Sequence, residues 1–92
     1  MEKNPVQLTI YTKPAGCFQC SKTKDLFAAQ GVPFLEVDIT TNAAALEYVT
    51  AELGYAQAPV VLFTNGSTVT HWSGLDPNRI TDTITLYGAK RQ

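Results

Sequence analysis

Apolar positions along this chain fall into short runs and longer periodic stretches, separated by clear turn signals. Val6–Tyr11 is an apolar, β-branched and aromatic run that stops at Thr12-Lys13-Pro14-Ala15-Gly16, and it reads as a first strand. Cys17–Gln30 reads as a helix, with Thr23, Leu26, Phe27 and Gln30 as its core-facing stripe and Gly31 as the residue that ends it. Pro33 opens a second strand, Phe34–Val37, because proline is tolerated at a strand's first residue. Asp38–Thr41 is a loop, and Thr40, Thr41 and Asn42 are candidate N-caps for a helix over Ala43–Leu53 that Gly54 terminates. Tyr55–Ala58 leads to Pro59 and a third strand, Val60–Phe63. Asn65-Gly66 is a hairpin signal joining it to a fourth, Thr68–Trp72. Asp76 is placed to cap a last helix with Pro77 at its first position; Ile80, Ile84 and Tyr87 share one face of Pro77–Tyr87. This helix is rich in threonine and is the weakest by propensity. Lys90-Arg91-Gln92 reads as a tail.

The order β-α-β-α-β-β-α has structural consequences. A right-handed crossover makes strands one and two parallel, and the hairpin makes strands three and four antiparallel. The expected fold class is α/β, a four-stranded mixed sheet flanked by three helices. A chain of 92 residues fits a single domain, 1–92, with its core at about 6–87. Net charge is −1 and no basic stripe exists, which argues against nucleic acid as a partner. The first residues lack the apolar stretch of a signal peptide, and no apolar run approaches the ~18 residues that span a membrane. A cytoplasmic location is expected, and with it reduced cysteines.

Only two cysteines are present, in Cys17-Phe18-Gln19-Cys20, where the first strand hands over to the first helix. Unpaired N–H groups and the helix dipole stabilise a thiolate at that position. Residues i and i+3 on a first turn also lie close enough to form a disulfide. Reversible thiol–disulfide exchange fits this arrangement. Two other readings stay open: half of a metal site and a purely structural disulfide. Zinc prefers four ligands, and His71 is the only other Cys or His in the chain. A disulfide closing so small a loop constrains the unfolded chain little. No metal site within the chain is expected.

Three segments carry a resemblance. Tyr11-Thr12-Lys13-Pro14 with Cys17-Phe18-Gln19-Cys20, then Gly54-Tyr55-Ala56-Gln57-Ala58-Pro59-Val60-Val61, then His71-Trp72-Ser73-Gly74 with Pro77, are similar in order and spacing to the motifs of NrdH-redoxins. These are glutaredoxin-like proteins of the thioredoxin superfamily, and the likeness spans about Val6 to Tyr87. Two departures stand out: an extra residue at Ala15-Gly16, with Gly16 placed to absorb it, and Leu75-Asp76 where the family has Phe-Arg.

The resemblance implies a thioredoxin fold and a monomeric dithiol carrier with no cofactor beyond its Cys17–Cys20 disulfide. Such a carrier is reduced by thioredoxin reductase and passes electrons to class Ib ribonucleotide reductase or other disulfides. It implies Cys17 as nucleophile, Cys20 as resolving thiol and a cis bond before Pro59, with the Ala58 backbone offered to partners. Lys13 and Gly16 support the site, Lys13 as a cation favouring the thiolate. Phe18, Gln19, Trp72, Ser73 and Gly74 are expected to meet partners, although Trp72 fits core packing equally well, and His71 is expected to be structural or exposed. Tyr11 and Tyr55 fit packing as well as function. A glutathione-dependent glutaredoxin is the alternative, and a metal or iron–sulfur carrier bridged between two subunits a lesser one. Against glutathione, the expectation is that Asp76 repels a carboxylate at the last helix and that, by the resemblance, Trp72 fills space where glutaredoxins have smaller residues.

Overall fold

The computed structural model describes residues 6–13 and 15–91, with backbone only over 89–91. Its elements are β1 (Val6–Thr12), α1 (Phe18–Ala29), β2 (Leu35–Asp38), α2 (Ala43–Glu47) continued by a π-helical turn over Tyr48–Glu52, β3 (Val60–Asn65), β4 (Thr68–Ser73) and α3 (Pro77–Arg91). One sheet holds the strands in the order β2-β1-β3-β4. β1 pairs parallel with β2 and antiparallel with β3, and β3 pairs antiparallel with β4. No helix among the described residues is long and apolar enough to cross a membrane.

Alternation along the strands divides the core. Leu8, Ile10, Val61, Phe63 and Trp72 face one side of the sheet and pack with Phe27 of α1 and Ile80 of α3. Val60 faces the other side and packs with Ile39, Ala45 and Val49 beneath α2, flanked by Tyr11, Tyr48 and Tyr55. The two sheet faces thus need separate helical covers, and the seven elements supply them.

Several expected boundaries shift for local reasons. β1 runs one residue further, to Thr12, and β2 starts and ends one residue later than expected. In α1 the buried stripe is Cys20, Thr23 and Phe27; Gln30 is exposed and serves as C-cap instead. The expected helix over Ala43–Leu53 is α-helical only to Glu47. Beyond it the Thr50 hydroxyl donates to the Leu46 carbonyl at 2.8 Å, a bond that competes with the backbone ladder, and Leu53 N–H reaches back to the Tyr48 carbonyl. Asn42 is the cap among the three candidates, its Oδ1 accepting the Ala45 N–H. The hairpin turns one residue later than the Asn-Gly signal suggests. Asn65 pairs with Thr68, so Gly66-Ser67 form the two-residue loop. Gly66 has φ +67° and among the described residues no non-glycine residue has positive φ, the pattern of a loop with glycine first rather than Asn-Gly central. The expected tail is in part helix: α3 carries Lys90 and Arg91, while Gln92 lies outside the described residues. Its cap is as expected, Asp76 Oδ1 accepting the Arg79 N–H at 3.1 Å.

Candidate active site

Cys17 is the N-cap of α1. Its backbone is extended (φ −109°, ψ 97°), and its Sγ accepts the Cys20 N–H at 3.2 Å. This role usually falls to a Ser, Thr, Asp or Asn oxygen; here sulfur takes it. The two cysteines are joined as a disulfide, with Cα atoms 5.3 Å apart. Once that bond is reduced, a negative charge on Cys17 sits at the positive end of a 12-residue helix with an N–H already aimed at it. Both effects favour thiolate over thiol. Cys20, one turn further in, is buried, whereas Cys17 is half-buried.

Three loops converge here. A groove of about 500 Å³ runs between Lys13, Gly16, Cys17 and Phe18 on one side and Ala56-Gln57-Ala58 on the other. The Ala58–Pro59 peptide is cis. Pro59 is buried, and its carbonyl accepts the Gly74 N–H at 2.8 Å, which ties the segment after β4 to the start of β3. Gln19 reaches the same segment from α1, its Oε1 accepting the Leu75 N–H at 2.8 Å. Gly16 has φ +73°, a conformation glycine adopts freely, and this accommodates the additional loop residue. Pro14 lies outside the described residues. Lys13 and Phe18 are exposed on the groove rim, Phe18 strongly so at 74%.

One expectation is corrected. Trp72 does not line the groove. It is 5% exposed within the core cluster, because its place on β4 opposite Val61 turns it toward α1 and α3. The steric part of the argument against glutathione therefore does not apply. His71 lies on the opposite face, half-buried, with the Tyr55 hydroxyl 2.8 Å from its Nδ1 and the rings edge to face. Ser73 ends β4 opposite Val60 and is half-buried, as is Gly74. Gln19 engages the protein's own backbone.

One cluster beside the site had no sequence signal. Glu36 on β2 accepts from Lys24 of α1 at 2.9 Å and from the fully buried Thr12 hydroxyl at 2.7 Å. The Lys24 bond first, and the Thr12 bond second, hold its carboxyl below the ordinary glutamate value. The cluster ties the end of β1, from which the active-site loop departs, to β2 and α1. Among the described residues no group of three or more His, Cys, Asp or Glu side chains is arranged to hold a metal ion.

Residues 8–69 match the glutaredoxin family model, a segment that includes the Cys17–Cys20 turn, the cis-proline and the hairpin turn. The chain belongs to the glutaredoxin family. Within it, this glutaredoxin is 33% identical to the NrdH-redoxin of Escherichia coli, whose structure it matches with a TM-score of 0.71 over 83% of this chain and 92% of that one. It is also 38% identical to the Gene 56 protein of Mycobacterium phage L5 over 84 residues, covering 89% of this chain and 76% of that protein. The glutaredoxin of Archaeoglobus fulgidus shares the fold at 20% identity, with a TM-score of 0.70 over 86% of each chain. The fold is accordingly the thioredoxin fold, and the Cys17–Cys20 pair makes this glutaredoxin a dithiol–disulfide oxidoreductase of NrdH-redoxin type.

Proposed function

We propose that this glutaredoxin is an electron carrier that takes electrons from thioredoxin reductase and delivers them to protein disulfides, class Ib ribonucleotide reductase among them. The observation that carries the reading is Cys17 Sγ at the N-cap of α1 with Cys20 buried one turn below. In the working cycle, the Cys17 thiolate attacks one sulfur of the partner disulfide. A Cys17–partner bond forms, the partner's S–S bond breaks, and its second sulfur leaves as a thiolate that takes a proton. Cys20, after losing its proton, attacks Cys17 Sγ. The Cys17–Cys20 bond forms, and the first partner sulfur departs as the second thiolate. Two electrons pass to the partner and the carrier is left oxidised. An extended partner segment pairs with the Ala58 backbone across the groove, and Lys13 on the rim favours the thiolate.

The choice of reductant rests on three supports. The E. coli NrdH-redoxin has a thioredoxin-like activity profile. In this chain the exposed Phe18 ring beside the disulfide offers apolar contact suited to a protein surface. Asp76 adds to this: its Oδ1 takes the Arg79 N–H in the first turn of α3, and its charge repels a second carboxylate there. A monomer in a reducing, cytoplasmic setting suffices, with no cofactor beyond the disulfide. The test is NADPH oxidation coupled through thioredoxin reductase, compared with oxidation through glutathione and glutathione reductase, on a common disulfide substrate. Faster turnover with thioredoxin reductase is expected; faster turnover with glutathione would assign the protein to the glutathione-dependent alternative.

A further inference from the structure

The groove wall facing the cysteines is the short loop Ala56-Gln57-Ala58. Among the described residues these three make no backbone hydrogen bond, so the loop is placed by what holds its ends. One end is Pro59, whose carbonyl accepts the Gly74 N–H at 2.8 Å. The other is Tyr55. Its N–H donates to the Val49 carbonyl at 2.9 Å, and its ring flanks the cluster of Ile39, Ala45, Val49 and Val60. Its hydroxyl reaches β4, lying 2.8 Å from His71 Nδ1 and donating to the His71 carbonyl at 3.3 Å. The two rings meet edge to face, 5.6 Å between centroids. β4 and the residue that follows it therefore fix both ends of the loop.

The Tyr55 hydroxyl has one proton and faces two groups. When Nδ1 bears a hydrogen, it donates to the tyrosine oxygen while the hydroxyl donates to the carbonyl. When Nδ1 is bare, the hydroxyl donates to it instead. Either tautomer keeps Tyr55 tied to β4, and both side chains are half-buried, which shields the contact from water. A loop without internal hydrogen bonds opens easily, and a docking edge that is fixed beforehand costs less to order on binding. Neither Tyr55 nor His71 lines the groove itself. We infer that Tyr55 and His71 are positioning residues for partner docking: their contact holds the Ala56–Ala58 wall where an extended protein segment pairs with it, while the thiol chemistry proceeds without them. This rests on the proposed pairing of the partner with the Ala58 backbone, not on the choice of reductant.

The experiment uses the protein pre-reduced and freed of reductant, so no reductase takes part. Single-turnover oxidation is followed with insulin, a protein disulfide, and with 2-hydroxyethyl disulfide, a small neutral one. The wild type is compared with Tyr55→Phe, His71→Leu, their double variant and His71→Asn. Tyr55→Phe keeps the ring in its cluster and removes only the hydroxyl. It is expected to raise the half-saturating insulin concentration about fivefold, the size of one neutral hydrogen bond, with the maximal rate and the small-disulfide rate unchanged. His71→Leu should act in the same direction, and the double variant should be no worse than Tyr55→Phe, because both changes act on one contact. His71→Asn sets an amide where Nδ1 stands and should restore the wild-type concentration. Amide hydrogen exchange at Ala56, Gln57 and Ala58 should accelerate in Tyr55→Phe and not in His71→Asn. An unchanged insulin concentration in Tyr55→Phe overturns the inference, whatever the loop exchange shows. So does a loss that affects both disulfides alike, the mark of a general structural role. Wild-type kinetics that never saturate with insulin overturn the docking reading, and the inference falls with it.

Discussion

Replacing Trp72 separates a packing role from a partner-binding one. Trp72 is 5% exposed in the cluster that α1 and α3 cover. Truncation to alanine there costs about 3–5 kcal/mol, against a total of roughly 5–14 kcal/mol for a domain of this length. With a urea slope near 1.5 kcal/mol/M, the midpoint should fall by about 2–3 M. Trp72→Phe should behave differently. The smaller ring leaves a cavity worth about 1 kcal/mol and weakens the contact with the Arg79 guanidinium, which lies 5.8 Å from the Trp72 ring centroid. It also removes the indole N–H, which is buried without a hydrogen-bond partner among the described residues. These terms oppose one another, so Trp72→Phe should stay within about 1 kcal/mol of wild type. Far-UV circular dichroism is the required probe, since Trp72 is the only tryptophan. Coupled turnover with thioredoxin reductase supplies KM. Phe18→Ala is the counterpart: with 74% of the residue exposed, its stability should change by less than about 0.5 kcal/mol while KM rises several-fold. If Trp72→Phe folds with wild-type stability and raises KM as much as Phe18→Ala, Trp72 meets the partner and the packing argument fails.

Cys20→Ser should leave a covalent adduct with an activated disulfide, visible by intact mass, and Cys17→Ser should not; the reverse pattern exchanges the two roles. The carboxyl of Glu36 binds protons less readily folded than unfolded, so it contributes stability that is full above the unfolded value of about 4.3 and is lost as pH falls through the lower folded value. Glu36→Gln should therefore lower stability at neutral pH and flatten its decline below about pH 4.3, as read by urea midpoints across pH; an equally steep decline would mean that another carboxylate carries the acid sensitivity. Gly74→Ala should cost about 1–2 kcal/mol, since an L-residue is strained at φ +84°, and unfolding midpoints equal to wild type would show that this backbone relaxes.

Much of the molecule was legible in residue order alone. The strand and helix sequence, the parallel β1–β2 and antiparallel β3–β4 pairings and the redox turn follow from local rules: apolar runs, breakers, caps and the handedness of crossovers. Cys17 and Cys20 announce themselves because their chemistry depends on spacing along one helical turn. Other features needed the folded chain. Whether Trp72 faces the core or the groove depends on the register of β4 against β3, and one residue of slip would exchange it with His71. Glu36 meets Lys24 and Thr12, Tyr55 meets His71 and Gln19 meets Leu75 only because the sheet order β2-β1-β3-β4 brings distant segments together. Sequence sets the chemistry that each side chain carries and the short-range geometry of the thiol pair. The long-range hydrogen bonds around that pair belong to the tertiary structure, because their partners are chosen by packing and pairing across the sheet, not by proximity along the chain.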